Sequence, residues 1–182
     1  MESLLSIRDR IPDYAKDLRL NLDAVLNRSS LTPAEAAGAA LASAFAARSA
    51  TLVEALREAT VLDATHAQAA LTAAALMGMN NVWYPFVEMT ADPELKTVRP
   101  ELRMNAYATH GGVERNSFEL YALAASIVGK CQFCIQAHSK LLREAGYSTQ
   151  QLRDVGRIAA TVNAVAQVLI AERVESAAAL AA

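Results

Sequence analysis

Both cysteines of the 182-residue chain and one of its three histidines lie in the stretch Cys131-Gln132-Phe133-Cys134-Ile135-Gln136-Ala137-His138, which Glu119 precedes. If the stretch is helical, Cys131 and Cys134 lie one turn apart on the same face, and His138 follows one turn later. Two thiols at that spacing can form a disulfide. The histidine can accept a thiol proton and stabilise the thiolate, which is the reactive form. The pattern therefore indicates a redox-active dithiol with its own base.

The composition favours an all-α fold. Apolar residues make up 53% of the chain and aromatic residues only 5%, and much of the apolar content is alanine. Alanine favours helices, whereas strands are rich in aromatic and β-branched residues. The chain is long enough to bury a substantial core. Its net charge of −2 gives no electrostatic reason to expect binding to nucleic acid or to an anionic membrane.

The same sequence predicts a cytoplasmic protein. Residues 1–10 lack the basic start and apolar run of a signal peptide. The longest apolar stretches, near residues 69–79 and 164–171, are too short to cross a bilayer and are expected to be core helices. Two cysteines in Cys-x-x-Cys spacing without an export signal indicate thiols that take part in chemistry. We therefore expect neither a membrane nor a nucleic-acid partner.

Helix start and stop signals occur along the first half. Thr32-Pro33-Ala34-Glu35 is typical of a helix start, with threonine as cap, proline in the first helical position and glutamate completing a capping box. A later helical pattern begins near Asp63. Pro85, which follows a glycine and two asparagines, is expected to end that helix. Met77 and Met79 on this helix are expected to be core or subunit-contact residues.

The second half carries similar signals around the cysteines. Asn116 or Ser117 is expected to cap a helix that has Glu119 in its first turn and ends at Gly129. Cys131 would then begin the next helix, which Gly146 ends, and Ser148-Thr149-Gln150-Gln151 is expected to cap the helix that follows. A helix N-terminus favours anions and lowers the pKa of a thiol placed there, so this argument makes Cys131 the reactive sulfur. The register of His138 favours Cys134 instead.

The chain is predicted to be one domain, 1–182, with two related halves at about 1–110 and 111–182. Arg57-Glu58-Ala59 and Arg143-Glu144-Ala145 recur with the same offset as Ala73-Ala74 and Ala159-Ala160. Alanine-rich sequence produces such matches easily, so a duplication is one of two open interpretations. If it is real, Arg48-Ser49-Ala50 stands where the second half has its dithiol, and the first half is scaffold.

The full set of Glu119, Cys131-x-x-Cys134 and His138, at these separations, resembles the signature of the alkyl hydroperoxidase D (AhpD-type) family, within the carboxymuconolactone decarboxylase-like superfamily. Three further stretches resemble the family, so that the likeness covers nearly the whole chain: Pro12-Asp13-Tyr14-Ala15-Lys16-Asp17, Met77-Gly78-Met79-Asn80-Asn81-Val82 and Pro100-x-Leu102-Arg103-Met104-Asn105. The resemblance implies an all-helical fold with a duplicated unit, usually assembled as a homotrimer.

The resemblance also implies an activity and its partners. It implies a cytoplasmic antioxidant enzyme that reduces organic hydroperoxides or a partner peroxiredoxin of the alkyl hydroperoxide reductase C type. The electrons would come from dihydrolipoamide carried by a lipoylated dihydrolipoamide acyltransferase, with no tightly bound cofactor and no metal.

Roles for the four site residues follow from the same resemblance. Cys134 would be oxidised to a sulfenic acid, and Cys131 would donate a proton and then close the disulfide. Glu119 and His138 would form the proton relay that activates Cys134. We expect an exposed Cys131 to exchange with external disulfides while a sheltered Cys134 meets peroxide. Phe133 departs from the family pattern, because many members have histidine between the cysteines, and this removes one polar partner of the thiols.

Three other interpretations remain open. A Cys-x-x-Cys pair with His138 and Glu119 could hold zinc in a structural interaction module, although structural zinc sites usually show a second ligand pair. Both cysteines could be small buried apolar residues. The chain could also be a decarboxylase or other lactone-processing relative on the same fold, which would not need a dithiol.

Overall fold

The computed structural model describes the backbone of residues 2–59 and 61–180, and the side chains of residues 4–59 and 61–172. All regular elements in these residues are helical, which confirms the predicted all-α class. Short 3-10 turns lie at Asp13–Ala15 and His110–Gly112. The helices are α1 (Glu2–Asp9), α2 (Lys16–Asn27), α3 (Pro33–Ala46), α4 (Ala50–Glu58), α5 (Ala64–Met89), α6 (Asn105–Ala108), α7 (Arg115–Gly129), α8 (Gln132–Glu144) and α9 (Thr149–Leu180).

Helices α3, α5 and α7 pack against one another at the centre, and α9 covers α3 and α7. Their contacts are close because the facing side chains are small, mainly alanines such as Ala39, Ala73 and Ala124, all fully buried. Gly38 shows how close α3 and α7 are, since a Cβ there would lie 2.2 Å from the ring of Tyr121. Alanine-rich sequence therefore produces a tight helical core on which the remaining helices are placed.

The predicted capping signals are confirmed. The Thr32 side chain accepts from the Glu35 backbone N–H at 3.2 Å, and the Glu35 carboxylate accepts from the Thr32 N–H at 2.8 Å. Ser148 and Gln151 form the same reciprocal pair before α9, at 3.2 and 2.9 Å. These side chains satisfy backbone donors that a helix start otherwise leaves unpaired.

The predicted stop at Pro85 is wrong. Helix α5 passes through Pro85 and continues to Met89. A proline removes only its own N–H from the helical ladder, and the other turns of a 26-residue helix keep their bonds. Tyr84, immediately before the proline, stacks its ring on that of Phe133 of α8 with the ring centroids 4.1 Å apart, and the residues after the proline add Val87 to the wall of a cavity that Phe133 also lines. The residues beyond the proline therefore extend the cavity wall that α5 shares with the cysteine-containing helix.

The predicted start of α7 is also wrong. The helix begins at Arg115 with Glu114 in the capping position, and neither Asn116 nor Ser117 is the cap. Glu119 consequently lies in the second turn, where its side chain is 1% exposed. The end of α7 agrees with the prediction, because the helix stops at Gly129 and Lys130 takes a left-handed conformation with φ 57°.

Two connections in the fold share one geometry, and we call them the first corner (residues 44–52) and the second corner (residues 126–134). In the first corner α3 leads through left-handed Arg48, at φ 59°, to Ser49, which caps α4. In the second corner α7 leads through left-handed Lys130 to Cys131, which caps α8. Related halves would produce this repetition.

Helix α9 is longer than the apolar stretch at residues 164–171 suggests. The segment Thr149–Glu172, with mean hydropathy 1.2, is long and apolar enough to cross a membrane by length and composition. Its apolar face is nevertheless used inside the protein, since Val155, Ile158, Val162 and Val165 are at most 1% exposed. The expectation that this stretch is a core helix is confirmed, although it is longer than the sequence suggested.

Candidate active site

The second corner places Cys131 at the start of α8, as predicted. The Cys131 N–H donates to the Ser126 carbonyl at 3.3 Å, which turns the chain sharply after α7. The Cys131 sulfur accepts from the Cys134 N–H at 3.2 Å and thereby acts as the helix cap. Both sulfurs therefore lie at the first turn of α8, where the backbone N–H groups and the helix dipole favour negative charge.

The two cysteines are joined as a disulfide, with their Cα atoms 5.3 Å apart. Neither is exposed: Cys131 is 0% and Cys134 2% accessible to solvent. The expectation of an exposed Cys131 beside a sheltered Cys134 is therefore wrong. Tertiary packing explains the burial of Cys131. A capping residue lies half outside its own helix, but α7 packs along α8 and lies against this one.

His138 and Glu119 form a buried pair below the dithiol. The Nδ1 atom of His138 is 2.6 Å from the Glu119 Oε2 atom, and the two side chains are 7% and 1% exposed. Cys134 and His138 line the same cavity. The structure thus brings together all four residues that the sequence singled out: the two sulfurs, an imidazole beside them, and a carboxylate that orients the imidazole.

A tyrosine that sequence reasoning missed completes the surroundings of the carboxylate. Tyr107 on α6 donates to Glu119 Oε1 at 2.5 Å, and the Arg115 guanidinium lies 3.8 Å from the same oxygen. Burial alone raises the pKa of Glu119, but the hydrogen bonds from His138 and Tyr107 and the charges of His138 and Arg115 outweigh it. The pKa of Glu119 is therefore lowered, and the buried group is a carboxylate at neutral pH.

Tyr107 is shifted in the opposite direction. Burial, and then the hydrogen bond to the Glu119 carboxylate, raise the pKa of the Tyr107 phenol above its ordinary value. The phenol is therefore a neutral O–H donor at neutral pH. No pattern in the sequence indicates this role, because Tyr107 lies in a four-residue helix after the least periodic part of the chain.

The second ring nitrogen of His138 also has a partner. Its Nε2 atom lies 3.2 Å from the sulfur of Met77 on α5, and Met77 is fully buried. The sequence suggested a core or subunit-contact role for Met77, and the structure adds a polar contact to its packing.

Two neighbouring cavities lie along the first turns of α8, and Cys134 lines one of them. The smaller, about 330 Å³, is lined by Cys134, His138, Tyr107, Asn80, Met104 and others. The larger, about 460 Å³, has a mainly apolar wall that includes Trp83, Val87, Leu95, Val98 and Pro100. The stacked rings of Tyr84 and Phe133 belong to the walls of both. Phe133, the departure from the family pattern, is thus a partition between the two cavities.

The fold and the site define a class, the all-helical proteins with a dithiol–disulfide pair at a helix start and a buried imidazole–carboxylate pair beside it. Residues 93–174 match the carboxymuconolactone decarboxylase family. Three proteins named "Alkyl hydroperoxide reductase AhpD" are similar over most of their length. That of Rhodospirillum centenum is 46% identical over 93% of this chain and 92% of its own. Those of Coxiella burnetii (strain Dugway) and Brucella anthropi are 42% and 38% identical, over 93% and 95% of this chain and 98% and 99% of their own.

These similarities show that the chain belongs to the AhpD family of alkyl hydroperoxide reductases, within the carboxymuconolactone decarboxylase superfamily. The resemblance drawn from the cysteine motif and its flanking stretches is confirmed.

Proposed function

We propose that this protein is a dithiol enzyme that reduces organic hydroperoxides, or the disulfide of a partner peroxiredoxin. The observation that carries the proposal is the buried Cys131–Cys134 disulfide beside the His138–Glu119 pair, in a cavity. The names of the relatives, alkyl hydroperoxide reductases, support the same chemistry.

The oxidative half-reaction starts from the reduced dithiol. The Cys134 thiolate attacks the O–O bond of the hydroperoxide, takes one oxygen to become a sulfenic acid, and releases an alkoxide that leaves as the alcohol after protonation. The Cys131 thiolate then attacks the Cys134 sulfur, and the sulfenic oxygen leaves as water. The dithiol loses two electrons, the peroxide gains them, and the disulfide seen in the structure is the product.

We assign proton transfer in these steps to His138. It shares a cavity with Cys134 and is paired through Nδ1 with the Glu119 carboxylate. An imidazole oriented by a carboxylate can remove the Cys134 proton, and it can return a proton to the departing alkoxide. Cys131 is the resolving thiol, and its place one turn from Cys134 prevents further oxidation.

The apolar cavity beyond the Tyr84–Phe133 stack supports an organic rather than an inorganic peroxide as substrate. Its wall of aromatic and aliphatic side chains, including Trp83 and Val98, suits a hydrocarbon group. Hydrogen peroxide has no such group and would gain nothing from this surface. We therefore expect a lower KM for aryl or long-chain hydroperoxides than for hydrogen peroxide.

The reductive half-reaction is proposed to use a dihydrolipoyl group carried by a lipoylated acyltransferase. This dithiol exchanges with the Cys131–Cys134 disulfide, gives up two electrons and two protons, and becomes the lipoyl disulfide. A peroxiredoxin of the alkyl hydroperoxide reductase C type would be the alternative electron acceptor. We place the activity in the cytoplasm and in a homotrimer, as the family resemblance implies.

The test is steady-state turnover with dihydrolipoamide and cumene hydroperoxide, following both lipoamide and cumyl alcohol. We expect one lipoamide per alcohol, no turnover in Cys134→Ser, and turnover close to wild type in Ser49→Ala. The last variant removes the helix cap of the first corner, which has no part in the proposed chemistry, and controls for a general loss of stability. Wild-type protein that forms no alcohol while its thiols are free would overturn the proposal.

The same samples distinguish the remaining alternatives. The sulfurs are bonded to each other, and among the side chains of residues 4–59 and 61–172 no three His, Cys, Asp or Glu are grouped as metal ligands. A zinc module would instead show thiols that resist alkylation until a chelator is added. A decarboxylase-type activity, suggested by the name of the matching family, would survive Cys134→Ser.

A further inference from the structure

The contact between His138 and Met77 has consequences for the protons of the site. The two nitrogens of the imidazole have different partners, Glu119 Oε2 at 2.6 Å from Nδ1 and Met77 Sδ at 3.2 Å from Nε2. His138 and Met77 are 5% and 0% exposed, so water does not replace either contact. The ring is therefore held at both ends by buried groups of the protein.

Neither partner has a proton to give. Glu119 is a carboxylate, whose ionised form the hydrogen bonds of Tyr107 and His138 favour. A thioether sulfur has lone pairs and no hydrogen, so it can only accept. A neutral imidazole carries one N–H and would direct a nitrogen lone pair at one of two acceptors. A doubly protonated ring satisfies both contacts, and the adjacent carboxylate balances its charge.

We propose that Met77 is a positioning residue of the redox site, whose thioether accepts the Nε2 proton of His138 and holds the ring doubly protonated beside the disulfide. This goes beyond the activity proposed above, and only its part in the catalytic cycle rests on that proposal. The charged ring favours the Cys134 thiolate that forms when an incoming dithiol attacks Cys131 and breaks the S–S bond. Met77 therefore assists reduction of the disulfide through His138, without contact with the substrate.

The groups around the ring that also titrate or carry charge are few. They are Glu119 and Arg115 on α7, Tyr107 on α6, Tyr84 on α5 and the dithiol on α8. A substitution at Met77 leaves all of these residues in place. A change in the protonation of the His138 ring can therefore be assigned to loss of the Met77 sulfur.

Leucine and glutamine separate the acceptor role of Met77 from its packing role. Met77→Leu keeps a side chain of similar volume but has no acceptor. Met77→Gln offers an amide oxygen at a similar distance along the side chain. Met79→Leu makes the same chemical change two residues further along α5, on a less buried side chain, and is the matched control.

The first readout is the ¹⁵N NMR spectrum of the oxidised protein at pH 7, labelled at histidine. We expect both His138 nitrogens to show protonated signals in wild type, Met79→Leu and Met77→Gln. In Met77→Leu the Nε2 signal should move toward that of an unprotonated nitrogen. An unprotonated Nε2 in wild type would overturn the proposal, and so would identical spectra of Met77→Leu and wild type. If Met77→Leu does not fold, the wild-type spectrum alone decides.

The second readout is the rate of disulfide reduction by dithiothreitol at pH 7, which requires no lipoylated partner and no peroxidase activity. A tenfold change in rate corresponds to a hydrogen bond of ordinary strength, and we expect Met77→Leu to be slower by about that factor. Met77→Gln should recover most of the rate. Equal slowing by leucine and glutamine would show a packing effect and overturn the proposal. Because neither readout uses hydroperoxide, failure of the proposed peroxidase function would leave this result unchanged.

Discussion

The two corners of the fold have nearly the same backbone and different chemistry. Arg48 and Lys130 are both left-handed, with φ 59° and 57°, and the residue after each caps a helix. The Leu52 N–H donates to Ser49 Oγ at 3.4 Å, and the Cys134 N–H donates to Cys131 Sγ at 3.2 Å. The backbone arrangement that positions the disulfide therefore does not depend on sulfur.

The side chains on the helices that flank the two corners differ more than the backbones of the corners do. Counted from the cap residue, Leu56 stands at the position of His138, and Ala37 at the position of Glu119. These two residues line an apolar cavity of about 130 Å³, which Leu4 and Leu5 of α1 also line. At the second corner, Cys134 and His138 instead line a cavity that Tyr107 and Asn80 also line.

The two corners together show which features form the turn and which are needed for the redox chemistry. A left-handed residue and a small capping side chain are sufficient for the turn, because both corners have them. Reactivity requires four further changes at the second corner: a sulfur in place of the serine hydroxyl at the cap, a second sulfur in place of leucine one turn on, an imidazole beyond it, and a carboxylate to pair with the imidazole. Residues of the first corner thus supply substitutions that test the second.

The largest effect is expected when the cap of the second corner is made identical to that of the first. Cys131→Ser should abolish catalytic turnover, because no thiol remains to close the disulfide. Serine is a good helix cap, so the free energy of unfolding should stay within about 1 kcal/mol of the reduced wild type. Peroxide turnover and urea denaturation measure the two quantities. Loss of the fold together with activity would show that the sulfur is structural.

The next effect concerns the buried pair. His138→Leu, which copies Leu56, should slow peroxide reduction by about 100-fold or more, since general acid–base catalysis is lost. It should also destabilise the protein by about 3 kcal/mol, because the Glu119 carboxylate loses a buried partner.

A double variant makes this prediction specific. Glu119→Ala with His138→Leu reproduces both residues of the first corner and removes the stranded charge. It should be as inactive as His138→Leu but more stable than that single variant by urea denaturation. A double variant less stable than both single ones would contradict the interpretation that the unpaired Glu119 carboxylate is what destabilises His138→Leu.

A smaller effect is expected at Tyr107. Tyr107→Phe removes one donor to Glu119 and should cost about 1–2 kcal/mol at pH 7. The lowered pKa of Glu119 gives stability that is present above its unfolded-state value and is lost as the pH falls through the folded-state value. The variant, with a less depressed pKa, should lose less on acidification. Urea denaturation at pH 7 and pH 3 should therefore show a larger difference between the two proteins at pH 7.

The smallest effect tests the shared backbone. Arg48→Gly and Lys130→Gly each remove the steric strain of a left-handed non-glycine residue. Each also raises the conformational entropy of the unfolded chain, which opposes that gain. We expect a change in unfolding free energy of at most about 1 kcal/mol, and the same sign at both positions. Thermal unfolding of the reduced proteins measures this. Opposite signs would show that the two corners are strained differently.

Much of this fold could be predicted because it depends on local signals. Alanine content, the Thr32 and Ser148 capping boxes and the stop at Gly129 each act within a few residues, and all are confirmed. The position of Cys131 at the start of α8 follows from the same signals. Glu119 and His138 could be paired with the cysteines because their spacing resembles a family signature.

The remaining features depend on contacts between distant parts of the chain. The partner of Glu119 on α6, Tyr107, follows an irregular segment without periodicity. Met77 has the pattern of an ordinary core residue, and only the approach of α8 to α5 gives its sulfur a polar partner. Burial of Cys131 and continuation of α5 past Pro85 likewise depend on packing between helices.

The role of the second corner is tested most directly by the intact mass of reduced wild type and reduced Cys131→Ser after one equivalent of cumene hydroperoxide. We expect wild type to lose two hydrogens by closing the Cys131–Cys134 disulfide. The variant should gain one oxygen, and a sulfenic-acid-specific reagent should locate it on Cys134. Oxygen on another residue, or two proteins unchanged by the peroxide, would contradict the claim that the second corner carries the chemistry.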